Sequence, residues 1–153
     1  MTGSFLVDTN ILVYSYDRSE SGKQAKAIAL LERLGMEGRG VVTTQVLGEF
    51  FRTVTRKLPR PLPVADACRR VEKYVHSWTV LPVTPQIVLE SALGVARYGL
   101  EFWDAQIWAT AKLNQISVLL SEDFSHLRSL DGVRFINPFV YDIWESGGTR
   151  SAH

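Results

Sequence analysis

Apolar residues fall along the chain in short solid runs separated by longer stretches at helical spacing. The first run, Phe5-Leu6-Val7, stops abruptly on Asp8-Thr9-Asn10 and reads as a buried strand that delivers a carboxylate to its own C-terminal end. Residues 11–16 suit strand or helix by apolarity alone, but the Asp-Thr-Asn before them supplies N-capping side chains and favours a short helix. After a polar loop over 17–22, Ala27, Leu30, Leu31 and Leu34 recur at helical spacing, so an amphipathic helix is expected over 23–34 with Gly35 as its stop. Gly40-Val41-Val42-Thr43 is a β-branched strand. Thr43 or Thr44 can then cap a helix over 45–57, with Val46, Leu47, Phe50, Phe51 and Val54 on one face. Prolines at 59, 61 and 63 must end it. Beyond them the pattern predicts helices over 65–76, 85–98 and 104–113 and strands over 79–81, 117–120 and around 133–136.

Short apolar strands alternating with amphipathic helices argue a parallel sheet covered on both faces. The expected class is α/β: a three-layer α/β/α sandwich with a mostly parallel central sheet. With 153 residues, 46% of them hydrophobic, the chain suits one domain over 1–145, followed by a small, polar tail over 146–153 that is expected to be disordered. A formal net charge of +1 gives no global basic field, so any nucleic-acid contact must come from a local cluster. The single cysteine, Cys68, excludes an internal disulfide framework, suits a reducing cytoplasm, and is expected as a small buried hydrophobe. No basic leader with a long apolar segment and no membrane-length apolar run occurs, so neither secretion nor membrane spanning is expected.

The candidate chemistry lies in acids at element boundaries. Asp8 and Asp123 each follow an apolar strand, while Glu49 and Asp104 lie in the first turns of helices that start from the same sheet edge. In open α/β sheets ligands bind in the crevice beyond the strand C-termini. Carboxylates gathered there repel one another unless a cation neutralises them, and Mg²⁺ or Mn²⁺ is the natural resident because hard ions prefer oxygen. His76, His126 and His153 are dispersed and offer no competing site. Each acid also has a simpler account: Asp8 as a helix cap, Glu49 as a partner of Arg52, Asp104 as a dipole partner, and Asp123, beside Glu122, as a solvated loop residue.

On these residues the chain resembles the PIN-domain nucleases, and within them the VapC-type toxins of bacterial toxin–antitoxin pairs. The matching motifs are Phe5-Leu6-Val7-Asp8-Thr9-Asn10-Ile11-Leu12, Glu49 in Gln45-Val46-Leu47-Gly48-Glu49-Phe50, Asp104 in Trp103-Asp104-Ala105, and Asp123 in Leu120-Ser121-Glu122-Asp123-Phe124. Ser121 takes the place of a family Thr or Ser, and Glu122 is a second candidate for the fourth acid. The resemblance implies a Mg²⁺- or Mn²⁺-dependent endoribonuclease in which Asp8, Glu49, Asp104 and Asp123 hold metal, supported by Thr9, Asn10 and Ser121. It also implies a homodimer silenced by a cognate antitoxin.

Arg52, Arg56, Lys57 and Arg60, on the helix of Glu49 and its exit loop, are the expected grip on single-stranded RNA. Aromatic residues including Trp78, Trp103, Trp108 and Trp144 are numerous for one core, so some are expected on partner surfaces, and an antitoxin helix is expected near Ile11, Val13, Phe50 and Phe51. Two rival readings stand beside it: a catalytically silent binding module of the same fold, and an Asp-nucleophile phosphatase. The phosphatase needs a second Asp two residues after the first, where Asn10 stands.

Overall fold

The structure, a computed structural model, describes residues 3–124 and 128–144. His126, His153 and the tail over 146–153 lie outside the described residues. Its strands are β1 (Phe5–Val7), β2 (Gly40–Thr43), β3 (Thr79–Leu81), β4 (Val118–Leu120), β5 (Ser129–Leu130) and β6 (Val133–Ile136). Its helices are α1 (Thr9–Tyr14), α2 (Ser21–Met36), α3 (Thr44–Arg56), α4 (Val64–Ser77), α5 (Pro85–Tyr98) and α6 (Phe102–Leu113). The strands form one sheet in the order β3-β2-β1-β4-β6-β5, parallel throughout except for the β5–β6 pair.

Strand β1 lies between β2 and β4 and is buried along its whole length, which is why it reads as a solid apolar run rather than an alternating one. From β1 the chain steps outward through β2 to β3, then returns to place β4 on the other flank of β1. Right-handed crossovers running in opposite directions put their helices on opposite faces of the sheet. Accordingly α1 packs on α2 and α3, and α3 on α4, while α5 and α6 pack on each other. The reversal of strand order falls between β1 and β4.

Two sets of side chains fill the layers. Val46, Phe50 and Val54 of α3 are fully buried, as are Leu6 and Leu119 of the sheet, each such side chain contributing about 1.5–3 kcal/mol by leaving water. Trp108 of α6 is 1% exposed, and its indole N–H donates to the Leu130 carbonyl at 3.1 Å, so the buried donor is satisfied. Gly94 of α5 makes room for it: a Cβ there would stand 2.6 Å from the Trp108 ring.

Several expectations need correction. Helix α2 begins at Ser21 and runs through Gly35 to Met36, because the residue that leaves the helix at positive φ is Gly38 (φ 65°), not Gly35. Cys68 is exposed, since α4 buries only Ala67 along its length. Strand β5 escaped notice because two residues are too short to show alternation. The turn after it carried the signal, for Asp131 (φ 47°) and Gly132 (φ 84°) form the positive-φ pair that tight hairpins favour. Ile11 and Phe50 are core residues with no exposure, so an antitoxin groove cannot be built on them, although Val13 and Phe51 are half-buried. Among the tryptophans, Trp108 is core, Trp78 and Trp144 are half-buried, and Trp103 is exposed.

Candidate active site

Asp8 sits where the strand order reverses. Its backbone N–H still bonds to the Leu120 carbonyl of β4 at 2.9 Å, and its side chain caps α1, Oδ1 accepting from the Thr9 N–H at 2.7 Å. Oδ2 accepts from the Ser121 hydroxyl at 2.7 Å, so the carboxylate spans the switch point from β1 to the residue after β4. Asp8 is 3% exposed, and this burial pushes its pKa up to about 7. The two hydrogen bonds favour the charged form without overcoming desolvation, and Asp123 and Asp104 add like charge.

The other acids arrive from three directions. Glu49 of α3 accepts from the Thr9 hydroxyl at 2.7 Å and from Gln45 Nε2 at 3.4 Å. Gln45 also donates to the Trp103 carbonyl at 3.1 Å and accepts from Gln106 Nε2 at 2.6 Å, tying α3 to α6 beside the site. Asp104 lies one turn into α6, whose N-cap Glu101 accepts from the Trp103 and Asp104 amides at 3.0 and 3.2 Å. Burial first, then the charges of Glu101, Asp123 and Glu49, push the Asp104 pKa up to about 6. Asp123 accepts from Asn10 Nδ2 at 2.8 Å, and its amide donates to the Ser121 hydroxyl at 3.0 Å.

Glu122 points elsewhere. It accepts from the Tyr14 hydroxyl and from Lys23 Nζ, the latter at 2.6 Å, so of the two adjacent acids Asp123 is the one that lines the cleft.

Asp8, Glu49, Asp104 and Asp123 all line one open cleft of about 560 Å³, together with Thr9, Asn10, Arg52, Lys57 and Trp103. Ser121 is buried against Asp8. Two expected cations fall outside the cleft: Arg60 lines a neighbouring cavity, and Arg56, one turn beyond Arg52 at the end of α3, lines neither. The simple capping role of Asp8 and the first-turn position of Asp104 are both real and coexist with their place in the cleft. Gln45 and Glu101 were missed. Gln45, one turn before Glu49, and Glu101, three residues before Asp104, sit at spacings that mark a same-face neighbour and a helix cap.

The donor set suits a hard divalent ion in kind, since the carboxylates offer only oxygen. Among the described residues no three Asp, Glu, His or Cys side chains are gathered closely enough to hold an ion unaided. Mg²⁺ is usually held by one or two carboxylates plus waters and substrate phosphates, which an open cleft of this kind accommodates. Asn10 Oδ1 is buried and accepts no hydrogen bond within the protein, leaving a further oxygen unclaimed beside Asp123.

Fold and cleft together define a compact α/β/α domain with an acidic centre at its switch point. The chain belongs to the PIN domain family, which matches residues 5–132. Similar solved structures include a toxin–antitoxin complex from Klebsiella pneumoniae, at 21% identity and a TM-score of 0.65, covering 88% of this chain and 98% of that one. VapC20 of Mycobacterium tuberculosis, a toxin that cleaves the sarcin–ricin loop, aligns at 18% identity and a TM-score of 0.63 over 86% of this chain and 99% of its own. DNA-bound VapBC from Salmonella typhimurium aligns at 17% identity and a TM-score of 0.60 over 88% and 97%. At these identities the likeness establishes the fold. No curated protein matches the sequence.

Proposed function

We propose that the chain is a Mg²⁺- or Mn²⁺-dependent endoribonuclease and the toxin of a toxin–antitoxin pair. The observation that carries this is the convergence of Asp8, Glu49, Asp104 and Asp123 on one cleft where, among the described residues, no cation of the chain pairs with them and neutral groups hydrogen-bond to Asp8, Glu49 and Asp123. Membership of the PIN domain family, and neighbours that include a toxin–antitoxin complex and an RNA-cleaving toxin, support it.

The chain's own residues prepare the site. Thr9 and Ser121 fix both oxygens of Asp8, Thr9 and Gln45 orient Glu49, and Asn10 holds Asp123. Burial and neighbouring acids raise the pKa of Asp8 to about 7 and of Asp104 to about 6, and a cation that compensates their charge would favour release of their protons. Arg52 and Lys57 stand on the cleft wall to meet a phosphodiester. A divalent ion held by Asp8 and its neighbours would supply a water of lowered pKa and stabilise charge in an in-line displacement.

An antitoxin partner, a homodimer and residence in the cytoplasm complete the proposal. Val88, Leu89, Leu93 and Val95, exposed on α5, offer an apolar surface for association. Among the described residues no helix is long and apolar enough to cross a membrane. Light scattering on the isolated chain tests the homodimer, which a strict monomer at tens of micromolar would exclude. The activity is tested by incubating the protein with total RNA, with and without Mg²⁺, and mapping the new ends. Cleavage that needs the ion and vanishes in Asp8→Asn is expected; intact RNA in all conditions, or full activity in Asp8→Asn, would refute it.

A further inference from the structure

We propose that a second cavity beside the carboxylate cleft is a subsite for a nucleotide flanking the cleaved bond of a single-stranded RNA, an inference that rests on the nuclease function proposed above. This cavity, about 520 Å³, lies between the α1–α2 loop and the proline-rich loop after α3. Asp17 lines both it and the carboxylate cleft, so the two adjoin at that residue.

Cations stand along this path. Arg18 and Arg60, both exposed, line the second cavity, and Arg52 and Lys57 line the first. Among the described residues none of these four takes part in an ion pair, so each is free to meet a phosphate. In a chain of net charge +1, unpaired cations strung along one groove are a local field for a polyanion. Arg70 adds a third charge near the second cavity, its guanidinium 5.7 Å from the centre of the Tyr16 ring.

The cavity also has the two-part chemistry of a nucleotide. Tyr16, anchored against Phe50 with ring centres 5.6 Å apart, and Leu58 and Leu62 form an apolar wall for a base, and the two arginines meet a phosphate. Asp17 between the cation pairs disfavours a phosphate at the junction and accepts a ribose hydroxyl or a base N–H instead. The walls are set before any ligand arrives. Asp17 Oδ1 accepts from the Ser19 amide at 3.0 Å and its hydroxyl at 2.5 Å, Pro59 and Pro61 restrict the opposite loop, and Leu62 N–H bonds to the Val54 carbonyl at 2.8 Å. Such preorganisation reduces the ordering cost of binding.

The test uses an Asp8→Asn background, so that RNA is not consumed, and follows fluorescence anisotropy of labelled single-stranded RNA from dinucleotide to octanucleotide across a salt series. Affinity should grow with length, and the growth should disappear when Arg18→Ala and Arg60→Ala are added. The slope of log affinity against log salt should fall by about 0.7 for each phosphate contact removed. Circular dichroism controls for folding, and both arginines are exposed. If the added substitutions leave the length dependence and slope unchanged, the subsite is overturned while the nuclease proposal stands. A free nucleoside monophosphate that binds as tightly as the octanucleotide would also overturn it. RNA that neither binds at any length nor is cleaved by the unmodified protein would instead remove the nuclease proposal itself.

Discussion

Acidic side chains do opposite things at two places in this molecule. At the corner where α5 and α6 meet the β5–β6 hairpin, Lys112 Nζ reaches Glu90 at 2.8 Å and Asp131 at 3.2 Å, and the Tyr98 hydroxyl donates to Asp131 at 2.9 Å. Those contacts, the Tyr98 hydrogen bond foremost, hold the Asp131 carboxyl below its usual range. In the cleft, Asp8 and Asp104 are pushed up instead by burial and neighbouring acids, which at Asp8 outweigh what Thr9 and Ser121 donate. One corner pairs its acids with a lysine of the chain; in the cleft, among the described residues, no cation of the chain pairs with the acids, and burial with like charge favours their protonated forms.

The sharpest way to break that contrast is to neutralise the cleft. Asp8→Asn should reduce RNA cleavage by at least about a hundredfold, beyond what loss of a mere supporting residue around a metal costs, in an assay with Mg²⁺ present. Far-ultraviolet circular dichroism should be unchanged, since volume and one capping acceptor are retained.

Next in size is the response to pH. An unfolded Asp releases its proton near 3.8, whereas folded Asp8 keeps it to about 7, so the folded state binds more protons between those values. The stability this group contributes is therefore fully present below pH 3.8 and is lost as pH rises through about 7, a change on the order of 4 kcal/mol. Urea titrations in a chelator from pH 5 to 8 should show stability falling with pH, with a flatter profile in Asp8→Asn; a profile that rises would contradict the raised pKa.

A control on the other region follows. Gly94→Ala places a Cβ 2.6 Å from the buried Trp108 ring and should cost about 1–3 kcal/mol by overpacking, read as a lower melting temperature, with metal binding untouched. Smallest is Lys112→Met, which should destabilise by about 1 kcal/mol or less because the pair is partly exposed. Its sign is what matters: removing a charge at the corner destabilises, whereas Asp104→Asn in the cleft should raise the melting temperature of the metal-free protein.

The layout of the fold was legible because apolar runs and caps are local. Pro85 and Tyr98 bound α5 as the pattern predicts, and Thr43 caps α3 through the Val46 amide. Asp8, Glu49, Asp104 and Asp123 were legible as acids at element ends, and their meeting follows once parallel strands share an edge. What local pattern could not carry was direction. Glu122 and Asp123 are indistinguishable in sequence, yet Tyr14 and Lys23, both distant along the chain, draw one away from the cleft. Arg52 and Arg56 share a helix, and only the cleft's position shows that Arg52 lines it. Hairpin β5–β6 was within reach through Asp131-Gly132, but its strand was too short to register by periodicity.

The most direct test of the cleft as a cation site is the melting temperature during a Mn²⁺ titration near neutral pH, for the unmodified protein, Asp8→Asn and Asp131→Asn. Binding to the folded state alone raises stability with the logarithm of free ion above its dissociation constant. The unmodified protein and Asp131→Asn should both gain in this way and Asp8→Asn should not. An equal gain in Asp8→Asn, or none in the unmodified protein, would contradict the assignment.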